Sequence, residues 1–163
     1  MQEVADAVLS VIGAENVRVF DANVPTDQAG DIYEPGSVDE PVVVTVDLPY
    51  VVIYMNFGDD NQPRLAGRTA QRSVFWQITS VGLTPEQTRW AHKRARRALK
   101  DRRLVVHVVD DATGQPTGET YQSGRISIGE SQRMRRDDTT TDPDGNPVFY
   151  LVDTCSVKLQ NKR

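Results

Sequence analysis

The residues able to do chemistry are few in this chain of 163 residues, and their spacing points away from catalysis. Cys155 shares one face of a strand-like run with Val157 and Leu159, where a thiol behaves as a small apolar group. His107 alternates with Val106 and Val108, and His92 stands beside Lys93 in a basic segment. Neither histidine lies in a pattern that supplies a nucleophile, and no G-x-S-x-G signature, Walker A loop or G-x-G-x-x-G is present. Asp142, Asp144 and Asn146 imitate the start of a calcium loop, but Gly145 comes too early and no Glu follows at the bidentate position. An aspartate-rich turn is the better reading. One cysteine cannot close an internal disulfide or build a cysteine zinc site, and two distant histidines leave little for a metal. The sequence therefore predicts a protein that is not an enzyme, with no catalytic residues, no cofactor and no metal.

Arginine and lysine carry the remaining signal. On a helical wheel Arg89, Lys93, Arg96, Arg97, Lys100 and Arg103 fall on one stripe, opposite Ala91, Ala95, Ala98 and Leu99. Two further basic groups are Arg64, Arg68 and Arg72 in a small-residue segment, and Arg133, Arg135 and Arg136. Such a stripe fits a solvated ion-pairing face, a surface for another protein subunit, or a phosphate-binding element. The whole chain is acidic, with net charge −4 and pI near 5.2, and no second helix adjoins at helix-turn-helix spacing. Both facts weigh against nucleic acid. The charge is also lopsided: residues 1–63 hold twelve acidic side chains against Arg18 alone, while residues 64–163 carry an excess of seven positive charges. Opposite signs on two faces favour head-to-tail contact between copies, whereas a sheet that mixes the halves would cancel them.

The elements that must position these residues follow from periodicity. Residues 2–13 place Val4, Ala5, Val8, Leu9 and Ile12 at helical spacing, with Gly13 as a stop. A brief apolar stretch, 17–20, precedes a long polar loop at 21–41. Residues 42–46 and 50–57 read as two central strands, because continuous β-branched runs need cover on both faces. A loop and basic arm at 58–72 follow, then an alternating strand at 73–81. Thr84, Pro85 and Gln87 form a helix start in which Thr84 caps and Gln87 closes a capping box, and the helix is expected to run to about Asp101. Further strands are expected at 104–109 and 124–130. A polar loop at 131–147 leads to a last strand at 148–159 with Phe149, Leu151, Cys155, Val157 and Leu159 on one face. The order predicts a single α+β domain over 1–163, a mostly antiparallel β-sheet with two α-helices packed on one face.

Composition agrees with a soluble intracellular domain: 38% hydrophobic and 26% charged residues, with no apolar run approaching the roughly 20 residues that span a bilayer. The opening Met-Gln-Glu-Val has no secretory character, so no export and no membrane contact are expected.

The stretch from Phe75 to Leu104 resembles tail-terminator proteins of long-tailed phages of actinobacteria. In that family a strand ending in Val-Thr-x-Val-Gly leads into a helix capped by Thr-x-Glu-Gln-Ala and rich in Arg and Ala. Here the matching residues are Ile78-Thr79-Ser80-Val81-Gly82 and Thr84-Pro85-Glu86-Gln87-Thr88, followed by Arg89-Trp90-Ala91. Thr88 stands where the pattern has Ala. The amphipathic first helix, the Pro49–Val52 strand opener and the chain length are similar to that family's layout. The resemblance implies a virion subunit, made in the host cytoplasm, that closes into a hexameric ring on the tail tube protein. Such a ring ends tube polymerisation and presents a head-tail joining surface to a connector or stopper protein, while DNA passes through without sequence-specific binding. It assigns the basic groups named above to subunit-interface or lumen contacts. A stopper or minor tail protein of similar size is the alternative. From another class, the alternative is a nucleic-acid-binding module using the basic helix 84–103.

Overall fold

The computed structural model describes residues 2–22, 24, 42–43, 45–56, 71–110, 112–113 and 115–160. The fold is α+β. Two helices, α1 (Gln2–Gly13) and α2 (Pro85–Leu99), lie against a mixed sheet built from β1 (Arg18–Asp21), β2 (Val42–Val43), β3 (Tyr50–Asn56), β4 (Gln71–Gly82), β7 (Ser127–Ile128), β8 (Arg135–Thr141) and β9 (Pro147–Gln160). Its order is β1-β3-β4-β9-β8-β2, with β7 pairing β9 off this path. The β1/β3 and β2/β8 pairs are parallel and the others antiparallel. A separate antiparallel pair joins β5 (Arg103–Val109) to β6 (Pro116–Arg125).

Alternation along the strands sorts side chains onto two faces of the sheet. Val51, Ile53, Val74, Trp76, Ile78, Cys155, Val157 and Leu159 face both helices and meet Val4, Val8 and Ile12 of α1 and Ala91, Ala95, Ala98 and Leu99 of α2. The alanines let the α2 axis sit close to the strands. Leu104 and Val106 extend the same core from β5. On the opposite face Tyr50, Val52, Val81 and Val148 gather with Val24 into a smaller cluster. No helix among the described residues is long and apolar enough to cross a membrane.

Four expectations are corrected. The segment 131–147, read as a loop, contains β8 and the start of β9, because the inward residues of β8 are polar: Asp137, Thr140 and Thr141 are buried, and Asp137 accepts hydrogen bonds from Thr139 and Thr140. The strand expected at 124–130 is only the two residues of β7, and the longer β6 before it was missed because its exposed, polar sequence has no apolar alternation. Val42–Val43 forms the edge strand β2, paired with β8 alone in the sheet order. Helix α2 stops at Leu99, two residues early; Asp101 turns the chain at φ 57° and Arg103 opens β5, so it leaves the helical stripe. Of the other expected loops, Asp21 closes β1 and Gln71–Arg72 open β4, whereas residues 25–41 and 57–70 lie outside the described residues.

The start of α2 shows how the local sequence dictates geometry. Thr84 is extended, and its hydroxyl accepts the Gln87 amide at 3.2 Å, with Pro85 at the first helical position. The Gln87 side chain reaches back to the Leu83 amide at 2.9 Å, one residue before the position a standard capping box would satisfy. Replacing Thr84 with Ala leaves an orphan helix amide and should cost about 1 kcal/mol of stability, read from urea unfolding midpoints.

Candidate functional site

The most elaborate polar constellation lies beneath α2. In β9 the series Leu151, Asp153, Cys155, Val157 points toward the helices, so a carboxylate occupies a core position; Asp153 is 1% exposed. Helix α2 supplies its partners from residues one turn apart: His92 Nε2 lies 3.0 Å from Asp153 Oδ2, and Arg96 Nη1 reaches both carboxylate oxygens at 3.2 and 3.1 Å. The strand-like passage after β7 brings the third element. Gly129 donates its amide to Thr154 and Gln132 to Val152, which sets Ser131 beside the carboxylate. Its hydroxyl lies 2.7 Å from Arg96 Nη1 and 3.1 Å from His92 Nε2 and hydrogen-bonds Asp153. Burial works to raise the Asp153 pKa; hydrogen bonds from His92 and Ser131 and the charges of His92 and Arg96 outweigh it, and the net shift is below the ordinary carboxylate value.

Serine, histidine and aspartate thus meet, but not as a relay. A hydrolytic triad needs the carboxylate on one ring nitrogen of the histidine and the nucleophile on the other. Here both converge on His92 Nε2, and the serine proton is engaged by the carboxylate. The arrangement can lock α2, β9 and the 129–132 passage together; it cannot withdraw a proton from Ser131 through His92. Beside it, burial pushes the Cys155 thiol up to about 12, so the sulfur remains a protonated core group. Among the described residues no group of three metal-ligating side chains comes together.

The sequence pointed to the cations and passed over Asp153, Ser131 and the role of His92. A legible signal existed: an acidic residue in phase with four apolar neighbours of an alternating strand, facing a helix with excess cations.

The basic residues do not form one patch. On α2, Arg96 turns inward to Asp153, Arg89 pairs with Glu86 at 3.4 Å, and Arg97 pairs with Glu15 beyond the end of α1, its Nε at 3.0 Å. Lys93 and Lys100 are exposed. Arg94, absent from the expected stripe, donates to the Glu15 carbonyl and stacks over Trp90, with 4.4 Å from its central carbon to the ring centroid. Arg133, Arg135 and Arg136 are exposed on and before β8, where Arg136 binds Asp138 at 2.6 Å. Arg72 pairs through its backbone with Leu159; Arg64 and Arg68 lie outside the described residues. The charge asymmetry of the sequence is therefore partly neutralised in space, since Glu15 from the acidic half meets Arg94 and Arg97 from the basic half.

Two surface features remain. A groove of about 650 Å³ runs between α1 and β5, with Val11, Val105 and Val109 among its lining. On α2, Trp90 is 41% exposed and borders a shallow apolar notch with Pro49 and the stems of Glu86 and Gln87. Compared with known proteins, the chain matches no family model and no curated protein.

Proposed function

We propose that the chain is a structural subunit of a ring that caps the tail tube of a long-tailed phage, ending tube growth and presenting a surface for head-tail joining. The observation that carries this reading is the stretch 75–104, which resembles the tail-terminator family and folds as one continuous unit of strand β4, capped helix α2 and strand β5. The mechanism is steric and electrostatic: one face of the ring complements the tube end so that no further tube subunit adds, and the other docks a connector or stopper. The constellation under α2 supports a binding role over an enzymatic one, because its acid, base and hydroxyl are committed to one another.

The nucleic-acid alternative loses support from the ion pairs. Arg89, Arg96 and Arg97 are engaged by carboxylates and Arg103 has left the helix, so few of the stripe's cations remain to neutralise phosphates.

Purified chain mixed with assembling tube protein, viewed by negative-stain electron microscopy, tests the proposal. Ring-shaped density at tube tips and shorter tubes at rising chain concentration are the expected result. Solitary particles that leave tube length unchanged would overturn it. A stopper would bind finished tail tips without altering tube length.

A further inference from the structure

We infer that the α1–β5 groove receives the Trp90 edge of α2 from a second copy of this chain, making this the repeating contact of the assembly; the inference rests on the ring reading above. The groove is apolar where a soluble surface would be polar. Strand β5 alternates, with Leu104 and Val106 buried in the core, yet on its outward face Val105 is 49% exposed. An exposed β-branched side chain at the floor of a groove is suited to cover by a partner.

Charge selects the occupant. One wall of the groove carries Asp6 of α1, and the other carries Arg102 and Arg103 where the chain leaves α2 and enters β5. An element that fits must present an acid, an apolar centre and a base in that order, to meet the basic wall, the floor and the acidic wall. Helix α2 offers this series on its exposed surface. Glu86, Trp90 and Lys93 stand at i, i+4 and i+7, on one face and spanning roughly 10 Å. The Trp90 indole, braced by Arg94, is the large aromatic anchor typical of interface centres. Because groove and aromatic edge are different patches, the contact is heterologous. Every copy then offers one free groove and one free edge to the next, and the chain of contacts closes into a ring when the rotation permits.

The test is the association state of the full chain, followed by sedimentation over a concentration series. Trp90→Ala and Val105→Glu each weaken self-association by about thirtyfold or more, the loss expected of a central hot spot. Both positions are exposed, and far-UV circular dichroism checks that the fold is kept. Lys93→Asp and Asp6→Lys each weaken association, and the double variant regains at least a tenfold share of the loss, which a damaged fold cannot do. Wild-type association by the Trp90 and Val105 variants, failure of the double variant to recover, or a wild-type chain that never associates would overturn the inference. Variants that associate normally while the wild type still caps tubes would remove this interface and leave the ring reading standing. Variants that dissociate as expected, in a chain that ignores tube tips, would do the reverse.

Discussion

Replacing Asp153 with Asn should lower the unfolding free energy by about 3 kcal/mol or more, the largest loss expected from any single polar change in this molecule. The carboxylate is buried, and one substitution strips the charge that both His92 and Arg96 were placed to meet. Arg96, partly solvated at one edge, can turn to water; His92 has less freedom, with 14% of its side chain exposed. For a chain of this length the midpoint of thermal unfolding should fall by roughly 10 °C. The Arg97 pair with Glu15 gives the contrast. It lies largely in solvent, so Arg97→Ala should cost under about 1 kcal/mol. If the Asp153 variant unfolds with the wild type, the lock does not hold the helix.

The same group fixes a pH dependence. Its folded pKa lies below the ordinary carboxylate value, so the unfolded chain takes up its proton first as pH falls. The stabilisation is fully present above the unfolded pKa of about 4 and disappears as pH drops through the lower folded value. Wild-type stability should therefore decline below about pH 4, and the Asp153→Asn variant should show a shallower decline across that interval. Parallel pH profiles of the two proteins would assign the acid sensitivity elsewhere.

How far the sequence could be read depended on where polarity coincided with exposure. Helix α2 was legible because Thr84, Pro85 and Gln87 signal its start through local chemistry, independent of the rest of the fold. Strands β3, β4 and β9 were legible because burial on one or both faces wrote apolar runs or alternation into them. Strands β6 and β8 were not. The first lies in an exposed two-stranded pair, and the second hides its inward side chains by hydrogen-bonding them, with Asp137 serving Thr139 and Thr140, so neither carries an apolar period. Asp153 was missed for a related reason: charge on a strand face reads as solvent exposure until the facing helix is known to bring Arg96 and His92 over it. Thr88 shows the converse. On the helical wheel Ala would serve there equally, but in the fold its hydroxyl donates to the Thr84 and Phe149 carbonyls at 3.0 and 3.2 Å, tying α2 to β9.

That tie explains the second large effect, at Gly82. The residue ends β4 opposite Phe149, three positions before α2 begins, and the first turn of the helix folds back over it. A Cβ built there would stand 2.7 Å from the Thr88 amide nitrogen, 2.9 Å from Gln87 Cβ and 3.0 Å from Thr88 Oγ1. The demand for glycine is one of space, and the nearest neighbour is backbone. Nor can the turn retreat easily, because Gln87 is held by Leu83 and Thr88 by Thr84 and Phe149. Gly82→Ala should therefore destabilise by about 2–3 kcal/mol, at the upper end for overpacking by one methyl group. Adding Thr88→Ala should not rescue it, since the closest clash is with the amide nitrogen, which every residue carries. At Gly13 a Cβ would meet only Val19 Cγ1 at 3.9 Å, so Gly13→Ala should be neutral or slightly stabilising. Urea midpoints of the three variants decide the matter: Gly82→Ala unfolding together with Gly13→Ala would mean that α2 does not rest on β4 as closely as its cap and its hydroxyl tie require.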